Sequence, residues 1–281
     1  MTELTKNSIV YRARHMQEMQ TILKNISNIK PIAGATDFLN HQTDEMIYLP
    51  EHILDLNFLP ELKVISKTER YFEFGAAVTL NEILDLGKKN IPPSLYYAVE
   101  KIANNAIRSL ATIGGNIATA NPLSGTFLPM LALDAKLEIR TAENIEWVPF
   151  ARYIDKSYAE KREEKYIISR IRIPNETWTK SFYTRIGTPG YIGSDTASFL
   201  FLILIQKNIL SDMRLFFASD KLIRNKEFDN LLLGRSLPLS QSEVPVIMQK
   251  SKQIFTPEQF SSEFHNSCFY NLLEDNLYNL T

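Results

Sequence analysis

Thr112, Asn116, Thr119 and Ser124 fall within one stretch, Ala111 to Pro129, that also holds Gly114, Gly115 and Gly125, three of the ten glycines in the chain. Hydroxyl and amide side chains can donate and accept hydrogen bonds, and glycine leaves the backbone open to close approach. Thr112 and Asn116 can therefore bond a ligand lying on glycines 114 and 115, while Thr119 and Ser124 can reach a ribityl or ribose chain. A second stretch, Pro31 to Leu39, runs an apolar strand through Ile32 and Ala33 into the turn Gly34-Ala35-Thr36-Asp37. Such a turn can aim successive N–H groups outward with the Thr36 hydroxyl beside them, which suits phosphate oxygens. Two turns of this kind could clasp one pyrophosphate. The same residues could equally form a pair of tight turns at a subdomain interface, the first of them a strand-to-helix connection capped by Thr36 or Asp37.

Other chemistries lack their residues. No G-x-G-x-x-G, G-x-x-x-x-G-K-[ST] or H-E-x-x-H pattern occurs, and the four histidines, His15, His41, His52 and His265, are scattered without ligand spacing, as surface or capping residues would be. No G-x-S-x-G elbow is present, and no acid–base pair converges, so no catalytic residue and no metal ligand is assigned. Cys268 is the only cysteine, which excludes an iron–sulfur or cysteine-ligated zinc centre supplied by this chain and reads as a packed thiol. Asp134, after an apolar segment, reads as a structural cap. A net charge of -1 provides no field for nucleic acid or anionic lipid. Met1 to Asn7 lacks the apolar run of a signal peptide, and the longest apolar run, Phe199 to Ile205, is far short of a membrane span, so the expectation is a cytoplasmic chain.

The elements that must position these residues follow from periodicity. Tyr11–Ala13 reads as a strand, and Met16, Met19, Ile22, Leu23 and Ile26 as one face of a helix. Short strands or extended pieces are expected at Met46–Leu49, Ile53–Leu56, Leu62–Ser66 and Tyr71–Val78. Thr79 and Glu82 fit a capping box for a short helix stopped by Gly87, and Pro92-Pro93 starts another, with Tyr96, Val99, Ile102, Ala103 and Ala106 along one side and Arg108 near its end. Beyond the glycine-rich bend, strands are expected from Lys136 and over Lys165–Ile173, with a boundary between lobes near residues 174 to 180. Ser181–Ile186 reads as a strand entering a turn with three glycines. Asp195 or Thr196 then caps a predicted apolar helix reaching about Leu210, followed by a strand at Met213–Ala218, a helix at Phe228–Leu233 stopped by Gly234, and an amphipathic helical tail from Ser242 to Leu280.

Ile32-Ala33-Gly34-Ala35-Thr36-Asp37 and Ala111-Thr112-Ile113-Gly114-Gly115-Asn116-Ile117, with Pro122, Pro129 and Leu131-Ala132-Leu133-Asp134-Ala135, resemble the two signature segments of the FAD-binding subunit of molybdenum hydroxylases, the xanthine dehydrogenase and carbon monoxide dehydrogenase flavoproteins. Tyr183-Thr184-Arg185-Ile186-Gly187-Thr188 and Leu231-Leu232-Leu233-Gly234 resemble the family's C-terminal domain. The resemblance implies an α+β FAD-binding fold over residues 1–174, in two subdomains of roughly 1–60 and 61–174, and a smaller α+β domain over 175–281. It implies that the amides of Ala33 to Thr36 hold the pyrophosphate, and that Thr112, Gly115, Asn116 and Thr119 line the flavin site; because neither segment contains a histidine or cysteine, the FAD is expected to be non-covalent. It further implies that the chain is the middle member of an electron relay, between 2Fe–2S clusters fed by a molybdopterin cofactor in partner subunits and NAD or another acceptor. Two departures stand out. Gly125 occupies a place where many members carry an acidic residue, and Thr188-Pro189-Gly190 replaces a basic residue. These motivate an alternative, a scaffold subunit of the same fold with weakened or lost FAD binding.

Overall fold

The computed structural model describes residues 8–42, 47–161, 165–188 and 190–281. The fold is α+β, as the sequence predicts. Contacts divide the chain into two compact units, one of Met1–Leu86, Asn104–Ala120 and Leu133–Asn175, the other of Gly87–Ala103, Asn121–Ala132 and Glu176–Thr281. Elements are numbered along the whole chain.

The first unit contains two sheets. β1 (Ile9–Arg12), β2 (Ile29–Ile32) and β3 (His52–Asp55) pair in parallel in the order β1-β3-β2. β1 and β2 run parallel on either side of β3, so the chain needs a crossover between them. α1 (Met16–Asn25) provides it, burying Met19 and Leu23 against Ile29 and Leu54, with its N-terminus capped by the His15 ring, which accepts from the Glu18 N–H. After β2 comes the one-turn α2 (Thr36–Asn40). Of the extended piece expected at Met46–Leu49, Met46 lies outside the described residues and 47–49 is irregular. Leu62 lies not in a strand but in a 3-10 turn, Pro60–Lys63, because Pro60 sets the first dihedral of that turn.

The second sheet is antiparallel, in the order β4-β5-β8-β6-β7: β4 (Ile65–Lys67), β5 (Tyr71–Gly75), β6 (Lys136–Arg140), β7 (Ile145–Pro149) and β8 (Ile167–Pro174). Phe72, Phe74, Leu137, Val148, Ile171 and Ile173 are buried on one face. The helices of this unit are α3 (Leu80–Asp85), α5 (Asn105–Arg108), α6 (Ile113–Ala118), α8 (Phe150–Tyr153) and α9 (Lys156–Lys161). The expected capping box of α3 is formed, with Thr79 accepting from the Glu82 N–H and Glu82 accepting from the Thr79 N–H.

The second unit is built on an antiparallel sheet, β12-β11-β10-β9: β9 (Lys180–Ile186), β10 (Ala197–Gln206), β11 (Ile209–Ala218) and β12 (Leu222–Ile223). α10 (Lys226–Leu232), α11 (Glu243–Ile254) and α12 (Glu263–Tyr278) cover one face, where Phe199, Phe201, Ile203, Phe217 and Phe269 share a core. α4 (Pro93–Glu100) and α7 (Phe127–Ala132) pack against β9 and β10 respectively. Two sequence expectations are corrected here. The predicted helix from residue 195 or 196 to about Leu210 is β10 and the start of β11, and Thr196 instead closes a turn by accepting from the Gly193 N–H. The predicted run from Pro93 to Ala106 breaks after Glu100: Ala103 takes a positive φ of 43°, and the Asn104 side chain caps α5 by accepting from the Ile107 N–H.

Candidate functional site

The turn after β2 is shaped by one close approach. A Cβ on Gly34 would lie 1.9 Å from the Leu110 carbonyl oxygen, so only glycine lets the two backbones meet. Ala35 follows with φ 56° and ψ 1°, a left-handed residue that turns the chain into α2. The Asn57 side chain donates to the Ala33 carbonyl at 3.0 Å and ties down the other side of the turn. Among the described residues, no N–H from Gly34 to Phe38 has a protein acceptor. A run of unmatched amides around a left-handed residue is an anion-binding concavity.

Thr112 sets the second half. It bridges Thr79 in an isolated antiparallel pair and caps α6, its Oγ1 accepting from the Gly115 N–H at 3.1 Å. The expected turn at Gly114-Gly115 is therefore the first turn of a helix, because the Thr112 hydroxyl satisfies an amide that a turn would leave open. The two glycines do different work. Gly114 donates to the Ala76 carbonyl at 2.9 Å, and a Cβ there would lie 2.5 Å from the Ala76 Cβ, so it permits tight packing. At Gly115 a Cβ would meet only Thr112 Oγ1, at 3.0 Å, and the space beyond is cavity.

That cavity, about 560 Å³, is contained in the first unit and brings the two sequence segments together. Ile32, Ala33, Gly34, Ala35, Thr36 and Asp37 line it from the first segment, and Thr112, Gly115 and Asn116 from the second, joined by Ala111 and Ala118. The remaining predicted residues lie elsewhere. Gly114 packs on Ala76, and Thr119 is the C-cap of α6, its hydroxyl donating to the Asn116 carbonyl at 3.1 Å. Ser124 belongs to the second unit, its N–H donating to the Asn121 carbonyl and its own carbonyl accepting from Phe127. Sequence reasoning did not assign Lys30, Pro31, Phe38, Gln42 and Pro50, which also line the cavity, nor His41, whose Nε2 lies 3.4 Å from Asp37 Oδ2. The i, i+4 spacing of Asp37 and His41 was a usable signal. Nothing in the sequence brings Pro50 to this wall.

Unmatched amides and the Lys30 ammonium suit an anion with several oxygens, and Ile32, Phe38, Pro31 and Pro50 offer apolar surface to a flat ring. The volume falls in the usual range for small-molecule sites, about 300–1,000 Å³. The residues present fit a cofactor carrying a pyrophosphate and an aromatic ring system. Gly125, in the second unit, has its missing side chain replaced: a Cβ would lie 2.4 Å from Ile102 Cγ1, and the Gly125 carbonyl accepts from the Tyr183 hydroxyl at 3.4 Å. Cys268 is partly buried, and burial pushes its thiol up from the ordinary value, as fits an inert packed thiol. No helix among the described residues is long and apolar enough to cross a membrane.

Residues 4–176 match the family described as the FAD binding domain in molybdopterin dehydrogenase. The chain is 24% identical over 230 residues to the glyceraldehyde dehydrogenase medium chain of Sulfolobus acidocaldarius, covering 80% of this chain and 81% of that one. It is 31% identical over 145 residues to the xanthine dehydrogenase FAD-binding subunit of Escherichia coli, covering 50% of this chain and 48% of that one. Its fold is similar to that of quinoline 2-oxidoreductase from Pseudomonas putida 86, with a TM-score of 0.80 at 17% identity over 99% of this chain and 98% of that one.

Proposed function

Because the chain belongs to the family of FAD-binding domains in molybdopterin dehydrogenases, we propose that it is the flavoprotein electron-transfer subunit of a multi-subunit molybdenum hydroxylase. It is an oxidoreductase subunit that works only within its complex. Its partners on this reading are a large subunit with molybdopterin and a small one with 2Fe–2S clusters, and the electrons leave to NAD or another acceptor. The single cysteine supports this division, since the chain cannot ligate a cluster by itself.

The observation that carries the reading is the cavity joining the two signature segments. FAD held there without a covalent link supplies a carrier able to exchange electrons with both one-electron and two-electron partners. The chain's own part is binding and orientation. The amides from Gly34 to Phe38 would hold the pyrophosphate, with the Thr36 hydroxyl as a further donor. Gly115 keeps the floor clear, Thr112 fixes that floor by capping α6, and Asn116 offers amide donors and an acceptor at the wall.

The rival reading, a scaffold that has lost the cofactor, draws on Gly125, where Ile102 fills the space an acidic side chain would need. FAD titration of the purified chain separates the two. The flavoprotein reading expects quenched or shifted flavin fluorescence and a melting temperature that rises with FAD concentration, by about 2.7 kcal/mol of added stability at a hundredfold excess over the dissociation constant. A chain indifferent to saturating FAD by both measures is a scaffold.

A further inference from the structure

The five-stranded sheet of the first unit buries one face, and its other face is an ordered array of charge. Across neighbouring strands Glu73 pairs with Arg172 and Arg172 with Lys136, while Glu138 pairs with Arg170 on one side and Trp147 on the other. The acids and Arg140 sit low, and Arg170, Arg172 and Lys136 stand above them. Glu138 and Glu73 side chains are 7% and 19% exposed, whereas Arg172 and Arg170 are 31% and 42% exposed and Lys136 is open to solvent.

The recessed acids hold the cations in place. Glu73 accepts from Arg172 Nε at 2.8 Å and from Arg170 at 3.2 Å, and Glu138 Oε1 accepts from Arg140 Nε at 2.7 Å and from Ser169 at 2.6 Å. The Arg172 guanidinium lies 4.1 Å from the Trp147 ring centroid and 5.1 Å from that of Tyr71. Arg172, stacked on Trp147 and bonded to Glu73 through both Nε and Nη2, has already lost its rotamer freedom, so a partner meeting it is spared that entropy. Lys136, Arg140, Arg170 and Arg172 outnumber Glu73 and Glu138, so this face is positive in a chain whose net charge is -1.

We propose that this sheet face docks an acidic protein surface contributed by a partner subunit, a proposal that rests on the reading of the chain as one member of a complex. Charge complementarity selects the occupant: a second copy meeting it through the same face would set arginine against arginine, whereas Asp and Glu side chains can bond the outward guanidinium edges and Lys136. The test uses the chain co-expressed with its molybdopterin and iron–sulfur subunits, with subunit stoichiometry read by size exclusion at about 0.1 M and about 0.5 M NaCl, the higher salt shortening the screening length about twofold. Wild type should hold its partners at low salt and release at least one at high salt. Lys136→Glu combined with Arg170→Gln should weaken that association about tenfold or more at low salt, with FAD uptake and melting temperature of the isolated chain unchanged. Should the double variant melt early, Lys136→Glu alone decides, since that side chain is exposed. Full retention of both partners by the variant at both salts overturns the docking face and leaves the flavoprotein reading standing. Failure of the wild-type chain to join either subunit overturns both.

Discussion

Gly34 and Gly115 illustrate how little of a site a residue type reveals by itself. At Gly34 a side chain would collide with the Leu110 backbone, so its cost would fall on the fold; at Gly115 it would enter the cavity, so its cost would fall on the ligand. The sequence marked both segments as short of side chains, yet it could not tell which of Gly114 and Gly115 faced Ala76 and which faced open space. That distinction depends on the rotation of α6, which Thr112 fixes. Gly115→Val is therefore expected to leave a folded chain, with a lower melting temperature where its Cβ presses on the Thr112 hydroxyl at 3.0 Å, and to weaken FAD binding about tenfold or more, because two added methyl groups occupy ligand volume. Flavin fluorescence titration beside a thermal melt checks this, and an unchanged affinity would place the cofactor elsewhere.

Elements were legible where one face is wet. α1, α3, β6 and β8 alternate apolar and polar residues at their own periods, and each lies where its pattern says. β10 carries no such pattern. Its Phe199, Phe201 and Ile203 enter the core under α12 while Leu200 and Leu202 are buried as well, so every position from Phe199 to Ile205 is apolar and the run reads as helix as readily as strand. On α10 a different element-scale effect is testable. Asp229 is buried with Oδ1 lacking a partner, and burial raises its pKa, opposed by the attraction of Arg224 3.5 Å away. A carboxyl whose folded pKa is raised contributes stability that is complete below its unfolded pKa and is lost as the pH rises through the folded value. Asp229→Asn keeps the shape without the charge, so the variant should be more stable than wild type at neutral pH, on the order of 1 kcal/mol, and no more stable at acid pH. Denaturant midpoints across pH give the answer; a variant less stable at neutral pH would mean that the Arg224 pair outweighs the burial.

At the scale of the whole molecule, the glycine-rich stretch that reads as one feature is shared out: Ala111 to Ala120 go to the first unit and Asn121 to Ala132 to the second. Local patterning cannot report this, because membership in a unit is decided by contacts far away in sequence. The same division has a consequence on the ribosome. The two early pieces of the second unit, Gly87–Ala103 and Asn121–Ala132, present Leu95, Val99, Phe127, Leu128 and Met130, all buried in the finished chain. α4 rests on β9, whose first residue is made about 80 residues after α4 ends. At a synthesis rate of ~5–20 residues/s those side chains wait for several seconds without their partner. Nascent chains arrested near residue 175 should consequently be held by chaperones and be cut by protease within 87–103 and 121–132, and chains released at full length should not; equal resistance in both would show that these helices find cover before the second sheet exists. The chain thus emerges with part of its last-formed core already in the open, and its yield in a cell depends on what shelters that surface during translation.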